Sequence, residues 1–212
     1  MNTIIIGGGT PPSAKLLAKE IKNAETIICA DGGANCLLKQ NFEPHHLIGD
    51  FDSITDTALR NFSKKSHIII EKHPKDKAET DILLALKKAV ALGATDIVFL
   101  GCTGGKRIDH AIGNLGILAR SLALNVNASL KDDFGSTRLI NQPTVISAKK
   151  GKLFSIQAYC DVVKNLSVTG SKFTLNNYDL NLGDTLTLSN EFLSTPVNIN
   201  FTSGRLLLFI ED

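Results

Sequence analysis

The chain has 212 residues, and its 23 Lys+Arg against 21 Asp+Glu leave a formal net charge of +2, so it carries no overall basic footprint for nucleic acid. With 43% hydrophobic and 21% charged residues it is ordinary globular material rather than a disordered chain, and its length suits one large domain or two small ones. No apolar run approaches the roughly 20 residues of a spanning helix, and the opening MNTIIIGGGTPPS lacks the basic start and long apolar stretch of a secretion signal. Cys29, Cys36, Cys102 and Cys160 form no CxxC pair. Cys29 and Cys102 read as small buried thiols in or beside apolar strands, and a reducing, cytoplasmic setting is expected.

The first 124 residues alternate short β-rich runs with helical patterns. TIII (3–6) reads as a strand, GGG follows, and a helix is expected over about 13–23. TIICA (26–30) is a second strand, running into DGGANCLLKQ, whose Ala34, Leu37 and Leu38 suit a helix face. A short strand at Leu47-Ile48 enters GDFDSI, with a helix over about 55–64. HIII (67–70) reads as a strand, and 79–92 (ETDILLALKKAVAL) as the clearest helix. Its Ile82, Leu83, Leu86, Ala89 and Val90 make one buried stripe at helical spacing, and Gly93 is placed to stop it. DIVFL (96–100) is another strand and 108–122 a further helix. This alternation predicts an α/β fold with a mostly parallel sheet covered on both faces.

After Leu124 the texture changes. KLFSIQAY, NLSVTG, DTLTLSN, PVNINF and RLLLFI are short segments separated by Gly, Asn and Pro. Most alternate apolar with polar residues, as half-buried antiparallel strands do. The expected organisation is therefore an α/β domain over 1–124 and an all-β domain over 125–212.

Four polar clusters fall where strands of the first half should end, the usual place for ligands in open α/β sheets. In ADGGAN, Gly32 and Gly33 would let backbone N–H groups approach an anion at a helix start; the same residues would also serve as a plain turn capped by Asp31. In GDFDSI, an extended backbone would point Asp50 and Asp52 to one side. Two carboxylates that close need a cation between them, and Mg²⁺, which prefers carboxylate oxygens and substrate phosphates, is the economical one; Asp52 or Ser53 as a helix cap is the plainer alternative. In KDKAETD, Asp81 falls in the first turn of the 79–92 helix, where acids also occur for dipole reasons. Lys75 and Lys77 suit either a solvated loop or phosphate. GCTGGKRIDH places three glycines and two cations after a buried strand, like a phosphate cradle. It is not the G-x-x-x-x-G-K-[ST] loop, because Gly101 and Gly105 have three residues between them and Arg107 follows Lys106. Asp109 and Asn114 lie near one helical face with His110 alongside. Gly7-Gly8-Gly9 with Asp31 further on only loosely suggests a dinucleotide fingerprint, since its third glycine would fall at Pro12. Carboxylates, glycine turns and cations together suggest metal-assisted transfer from a nucleotide.

The ordered set ADGGAN, GDFDSI, KDKAETD and GCTGGKRIDH, followed by GSKFTL, LSNEF and SGRLLLF, resembles the thiamin pyrophosphokinase family over essentially the whole chain. The resemblance implies an α/β ATP-binding domain, then a thiamin-binding β-sandwich, in a homodimer with active sites at the subunit interface. It implies transfer of the β,γ-diphosphoryl group of ATP to the thiamin hydroxyl, with AMP leaving and Mg²⁺ as cofactor. Asp50, Asp52 and Asp81 would hold Mg²⁺ and, with Asp109, carry catalysis. Asp31, Gly32, Gly33, Lys77, Thr103, Gly104, Arg107 and His110 would surround the nucleotide, and Asp109, Asn114, Ser189 and Asn190 the thiamin. Lys106 adds a residue to the family's G-x-T-G-G-R-x-D-H loop, so Lys106 or Arg107 takes the Arg role. The chain has no Trp to stack on thiamin as some members do. A kinase for another small alcohol and a non-catalytic nucleotide-binding protein are the competing readings.

Overall fold

The computed structural model describes residues 1–105 and 107–212, and the chain divides into two compact units, 1–133 and 134–212. Lys106, one of the two residues expected in the Arg role, lies outside the described residues.

The first unit is built as the alternation requires. Its elements run β1 (Asn2–Ile6), α1 (Ala14–Ile21), β2 (Thr26–Ala30), α2 (Ala34–Lys39), β3 (His46–Gly49), α3 (Asp56–Ser63), β4 (Ile69–Lys72), α4 (Asp81–Ala91), β5 (Asp96–Leu100), α5 (Ile108–Ala123) and β6 (Asn127–Lys131). The strand order is β6-β5-β1-β2-β3-β4, and every pairing in it is parallel. Alternate residues feed opposite faces, as pleating dictates. Ile4, Ile6, Ile27, Cys29 and Leu47 pack with Leu17 of α1, Leu37 of α2 and Phe62 of α3. α4 packs on β1, β2 and β3 and against α5. Polar caps set the helix starts: the hydroxyls of Ser13, Thr55 and Thr80 accept the N–H groups of Leu16, Ala58 and Leu83, which satisfies donors that the helix itself leaves free. α4 ends at Gly93, which takes a left-handed φ of 88°.

Two boundaries differ from expectation. The strand expected at 67–70 is Ile69–Lys72, because Ile68 is spent in a turn, donating its N–H to Lys65 and burying its side chain. The first unit also runs past the junction expected at 124/125. Asn127–Lys131 pairs in parallel with β5 in register from Asp96 to Leu100, so this strand belongs to the α/β sheet although its sequence looks like those that follow.

The second unit contains β7 (Gly135–Ile140), β8 (Thr144–Ile146), β9 (Leu153–Ala158), β10 (Val163–Thr169), β11 (Leu175–Leu180), β12 (Asn190–Glu191), β13 (Val197–Asn200) and β14 (Leu206–Glu211). They form two antiparallel layers, β12-β9-β14-β7 and β11-β10-β13-β8. Both contribute to one core, with Phe154, Ile156 and Leu208 from the first and Leu166, Val168 and Ile199 from the second, as in a sandwich. Phe154 and Phe192 meet at 4.8 Å between ring centroids. Segment 184–190 is not the strand its alternation suggested. Turns at Asn181–Asp184 and Thr185–Leu188 consume its backbone, and only Asn190–Glu191 pairs, with Phe154 and Leu153.

Cys29, Cys36 and Cys102 are buried thiols and Cys160 is exposed. Burial pushes Cys102 up to about 12 and Cys36 up to about 11, which leaves them in the unreactive thiol form. Among the described residues no helix is long and apolar enough to cross a membrane.

Candidate active site

Two loops leave the carboxyl ends of adjacent strands β2 and β3 and pack on each other. Gly32 permits this, since a Cβ there would press on Ser53 at 3.2 Å, while a Cβ on Gly33 would lie 2.1 Å from the Ile6 carbonyl oxygen at the end of β1. Asp31 takes a left-handed φ of 43°, and Phe51, between the two aspartates of the second loop, one of 66°. Non-glycine residues hold that conformation at a cost, which surrounding bonds must offset. Here they do. Asp31 Oδ2 accepts the Ser53 N–H at 3.1 Å, Asp50 Oδ1 accepts the Asp52 N–H at 3.1 Å, and Asp52 Oδ1 accepts the Ser53 hydroxyl at 2.9 Å. Asp50 and Asp52 therefore converge through a side-chain-to-backbone turn. The left-handed Phe51 between them interrupts the extended backbone that would have pointed both to one side.

The result is a close group of oxygens. Asp31, Asp50 and Asp52 each offer a carboxylate oxygen, all within 4.8 Å of one another. Burial pushes Asp31 up, further raised by Asp81 and Asp52 and opposed by its bonds from Ser53. Its Oδ1 is buried with no hydrogen-bond partner. Asp52 is held below the usual carboxylate range by the Ser53 hydroxyl and by Lys75, whose Nζ stands 3.5 Å away. Three like charges at this spacing, one with an orphaned oxygen, suit a hard divalent cation that takes oxygen ligands.

Asp81, expected as a third ligand beside Asp50 and Asp52, stands at the first position of α4 and joins them through a cation. Lys77 Nζ lies 3.0 Å from Asp81 Oδ1 and 3.4 Å from Asp50 Oδ2, with both carboxylates and the ammonium largely buried. Burial pulls the Lys77 ammonium down, but Asp81 and Asp50 outweigh it and the net direction is up. The tight carboxylate triple thus contains Asp31, which the sequence motifs assigned to the nucleotide. Asp81 faces the triple across Lys77.

The third segment, between β5 and α5, is organised differently. Thr103 donates its hydroxyl to Asp132 Oδ2 at 3.2 Å, Gly104 lies against Thr10, and Asn114 Nδ2 donates to the Cys102 carbonyl at 2.8 Å. Asn114 thereby ties α5 to the loop that precedes it. Arg107 Nε bonds Asp109 Oδ1 at 2.9 Å, and the pair is exposed. Arg107 holds Asp109 down at about 2. His110 is exposed beside them. The glycine run after β1 serves this loop, because Gly9 donates to the Gly101 carbonyl at 2.7 Å and a Cβ on Gly9 would lie equally close to that oxygen. It is loop packing and gives no dinucleotide fingerprint.

Ser189 and Asn190 belong to the second unit. Ser189 takes a left-handed φ of 54° and its N–H bonds Ser155 Oγ at 2.9 Å. Asn190 is buried, and its amide is fully engaged: Nδ2 donates to Phe173 O at 2.7 Å and Ser171 Oγ at 3.2 Å, while Oδ1 accepts from Phe173 and Glu191 N–H. It clamps the GSKF turn to the SNEF strand. Sequence motifs overlooked Asn35 and Asp132. Asn35 stood inside the ADGGAN motif without a role, and Asp132 has no spacing signal because its contact with Thr103 spans two loops.

Comparison with known proteins agrees with this arrangement. Residues 17–130 match the family described as "Thiamin pyrophosphokinase, catalytic domain", and residues 141–206 match "Thiamin pyrophosphokinase, vitamin B1 binding domain". The chain is 29% identical to the thiamine pyrophosphokinase of Bacillus subtilis over 211 residues, covering 98% of each. A crystal structure of thiamine pyrophosphokinase from Bacillus subtilis superposes with a TM-score of 0.88 at 28% identity, covering 100% of this chain and 99% of that one. The Candida albicans thiamin pyrophosphokinase, at 17% identity, shares the fold with a TM-score of 0.84 over 99% of this chain and 88% of its own. With more than half its length matched by the catalytic-domain family, and the β-unit by the second, this chain belongs to the thiamin pyrophosphokinase family.

Proposed function

We propose that Asp50, Asp52 and Asp81 organise the ATP polyphosphate, with Mg²⁺, while the β,γ-diphosphoryl group passes to the hydroxyl of thiamin. The family reaction itself sets the balance: the thiamin oxygen bonds the β-phosphorus, the bond from that phosphorus to the AMP oxygen breaks, and thiamin diphosphate and AMP result. The observation that carries the assignment of Asp50 and Asp52 is the convergence of their oxygens with Asp31, whose own Oδ1 is orphaned, and Asp81 is joined to them through Lys77. Mg²⁺ bound there would neutralise phosphate charge and orient the polyphosphate.

The chain's own groups do the rest. Lys77, suspended between Asp50 and Asp81, is a buried ammonium that can shift its bonds to phosphate oxygens when those carboxylates find another cation. Arg107 offers a planar fork for the same charge once it parts from Asp109, and an exposed pair of this kind separates at little cost. Gly32, Gly33, Thr103 and Gly104, in these loops, and His110, in the first turn of α5, are assigned to the nucleotide, with Asp109 and Asn114 at the thiamin side. A carboxylate of the cluster takes the hydroxyl proton.

Ser189 and Asn190 are assigned to the thiamin pyrimidine, Asn190 acting by holding the loop in place. The support is its buried, fully bonded amide beneath the exposed Phe173. A homodimer with active sites at the subunit interface is supported by exposed apolar side chains on the second unit, Phe173, Leu182 and Leu186 among them. Unpaired thiols support a reducing, cytoplasmic setting.

The test is to incubate the protein with ATP, Mg²⁺ and thiamin and separate the nucleotides. AMP with thiamin diphosphate is the expected result. ADP would mean a simple kinase, and unchanged ATP a protein that only binds nucleotide.

A further inference from the structure

Asn35 closes the ADGGAN cluster, and nothing in the reaction above gives it a task. It lies half-buried in the first turn of α2. Its amide reaches across to the loop that carries Asp50 and Asp52. Oδ1 accepts both the backbone N–H and the hydroxyl of Thr55, each at 2.9 Å, and Nδ2 donates to the Ser53 carbonyl at 3.0 Å. The Thr55 hydroxyl in turn accepts the Ala58 N–H at 3.2 Å and caps α3.

Ser53 is therefore gripped at both ends of its backbone, by Asp31 at the N–H and by Asn35 at the carbonyl. Its own hydroxyl bonds Asp52, and the Asp52 N–H bonds Asp50. The hydrogen bonds run without interruption from Asn35 to both aspartates. Capping α3 needs only Thr55; an amide from another helix is an extra constraint, and its effect falls on the loop between β3 and α3. The chemistry of the side chain fits the place. One acceptor faces two donors and one donor faces an acceptor, which neither a carboxylate nor an alanine can reproduce.

We infer that Asn35 is a positioning residue: by fixing Ser53–Thr55 it sets the separation of the Asp31, Asp50 and Asp52 carboxylates and so tunes the enzyme's divalent-cation requirement. The inference rests on Asp50 and Asp52 being the cation-holding carboxylates, so both are tested together. In the full-length protein, Asn35→Ala should weaken Mn²⁺ binding, read by electron paramagnetic resonance with ATP present, by about tenfold or more. The Mg²⁺ concentration for half-maximal AMP formation should rise in parallel, with the KM for thiamin changed by less than about twofold. Amide exchange at Ser53 and Thr55 should accelerate. A residue that merely supported the fold would lower the unfolding midpoint and leave the cation curves of the folded protein alone.

Asp50→Asn and Asp52→Asn, measured alongside, separate the two ideas. If they weaken Mn²⁺ binding and Asn35→Ala does not, the positioning role is overturned. If none of the three changes it, the carboxylate assignment falls and the role of Asn35 with it. Should Asn35→Ala fail to fold, Thr55→Val deletes only the hydroxyl's bonds; it should shift the Mn²⁺ curve by about threefold, and no shift overturns the inference.

Discussion

The loops after β2 and β3 and the segment that opens α5 carry comparable charges under opposite constraints. In the first region, Asp31 is bound to a backbone donor of the neighbouring loop, Asp50 and Asp52 to backbone and hydroxyl donors of their own, and residues 31 and 51 are held in left-handed conformations. In the second, Arg107 and Asp109 satisfy each other at the surface. The difference separates two ways of presenting charge to a polyphosphate. Carboxylates that would repel one another must be fixed before a cation arrives, because fixed geometry removes the reorganisation cost at the moment of reaction. An exposed cation paired with its own anion can be released when phosphate competes for it.

The comparison is broken most severely at Gly33. A Cβ there would come within 2.1 Å of the Ile6 carbonyl, and relieving that overlap should push the loop after β2, with Asp31, away from the end of β1 at a cost of about 1–3 kcal/mol. Gly33→Ala should lower the urea midpoint by a corresponding amount and depress AMP formation. A variant with the parent's midpoint and rate would show that the close approach of this loop to β1 is dispensable. In the second unit, Asn190→Ala removes a buried amide and strands its partners on Ser171 and Phe173; about 2 kcal/mol of stability should be lost. Steady-state kinetics of the folded variant should show a raised KM for thiamin with the KM for ATP unchanged. Equal effects on both would move Asn190 out of the thiamin site.

The smallest effect belongs to the exposed pair. Arg107→Ala should leave the unfolding midpoint at neutral pH where it is. It should let the Asp109 carboxyl return from about 2 toward its ordinary 3.8, followed by side-chain NMR during an acid titration. The folded value is depressed. Whatever the pair contributes is present above about pH 4, the unfolded value, and is lost as pH falls toward 2. A carboxyl already titrating near 3.8 in the parent would show that the pair does not form in solution.

Much of this was readable beforehand, and the failures have physical reasons. Hydrophobic periodicity located β2 and β5 as Thr26–Ala30 and Asp96–Leu100 and came within two residues at α4. It misplaced the domain junction because a strand's sequence does not say whether its partner is parallel: Asn127–Lys131 joins the α/β sheet. The alternation in 184–190 suggested a strand, but turn bonds took its backbone. At the site, ordered motifs identified the loops that carry charge. They could not reveal that Asp31 joins Asp50 and Asp52 while Asp81 stands across Lys77, since that depends on loop-on-loop packing through Gly32 and Ser53. Nor could they show that the Asn190 and Asn114 amides are bonded to the carbonyls of Phe173 and Cys102.

The most direct test of the account is the initial rate of AMP formation by Asp50→Asn, measured against the parent across a range of Mg²⁺ concentrations at saturating thiamin. The substitution preserves shape, removes one charge from the carboxylate group, and leaves Lys77 with Asp81 as its remaining carboxylate partner. If Asp50 holds the cation, the rate should fall by about 10²–10³ and the Mg²⁺ curve should move to higher concentration. Superimposable curves for the two proteins would contradict it.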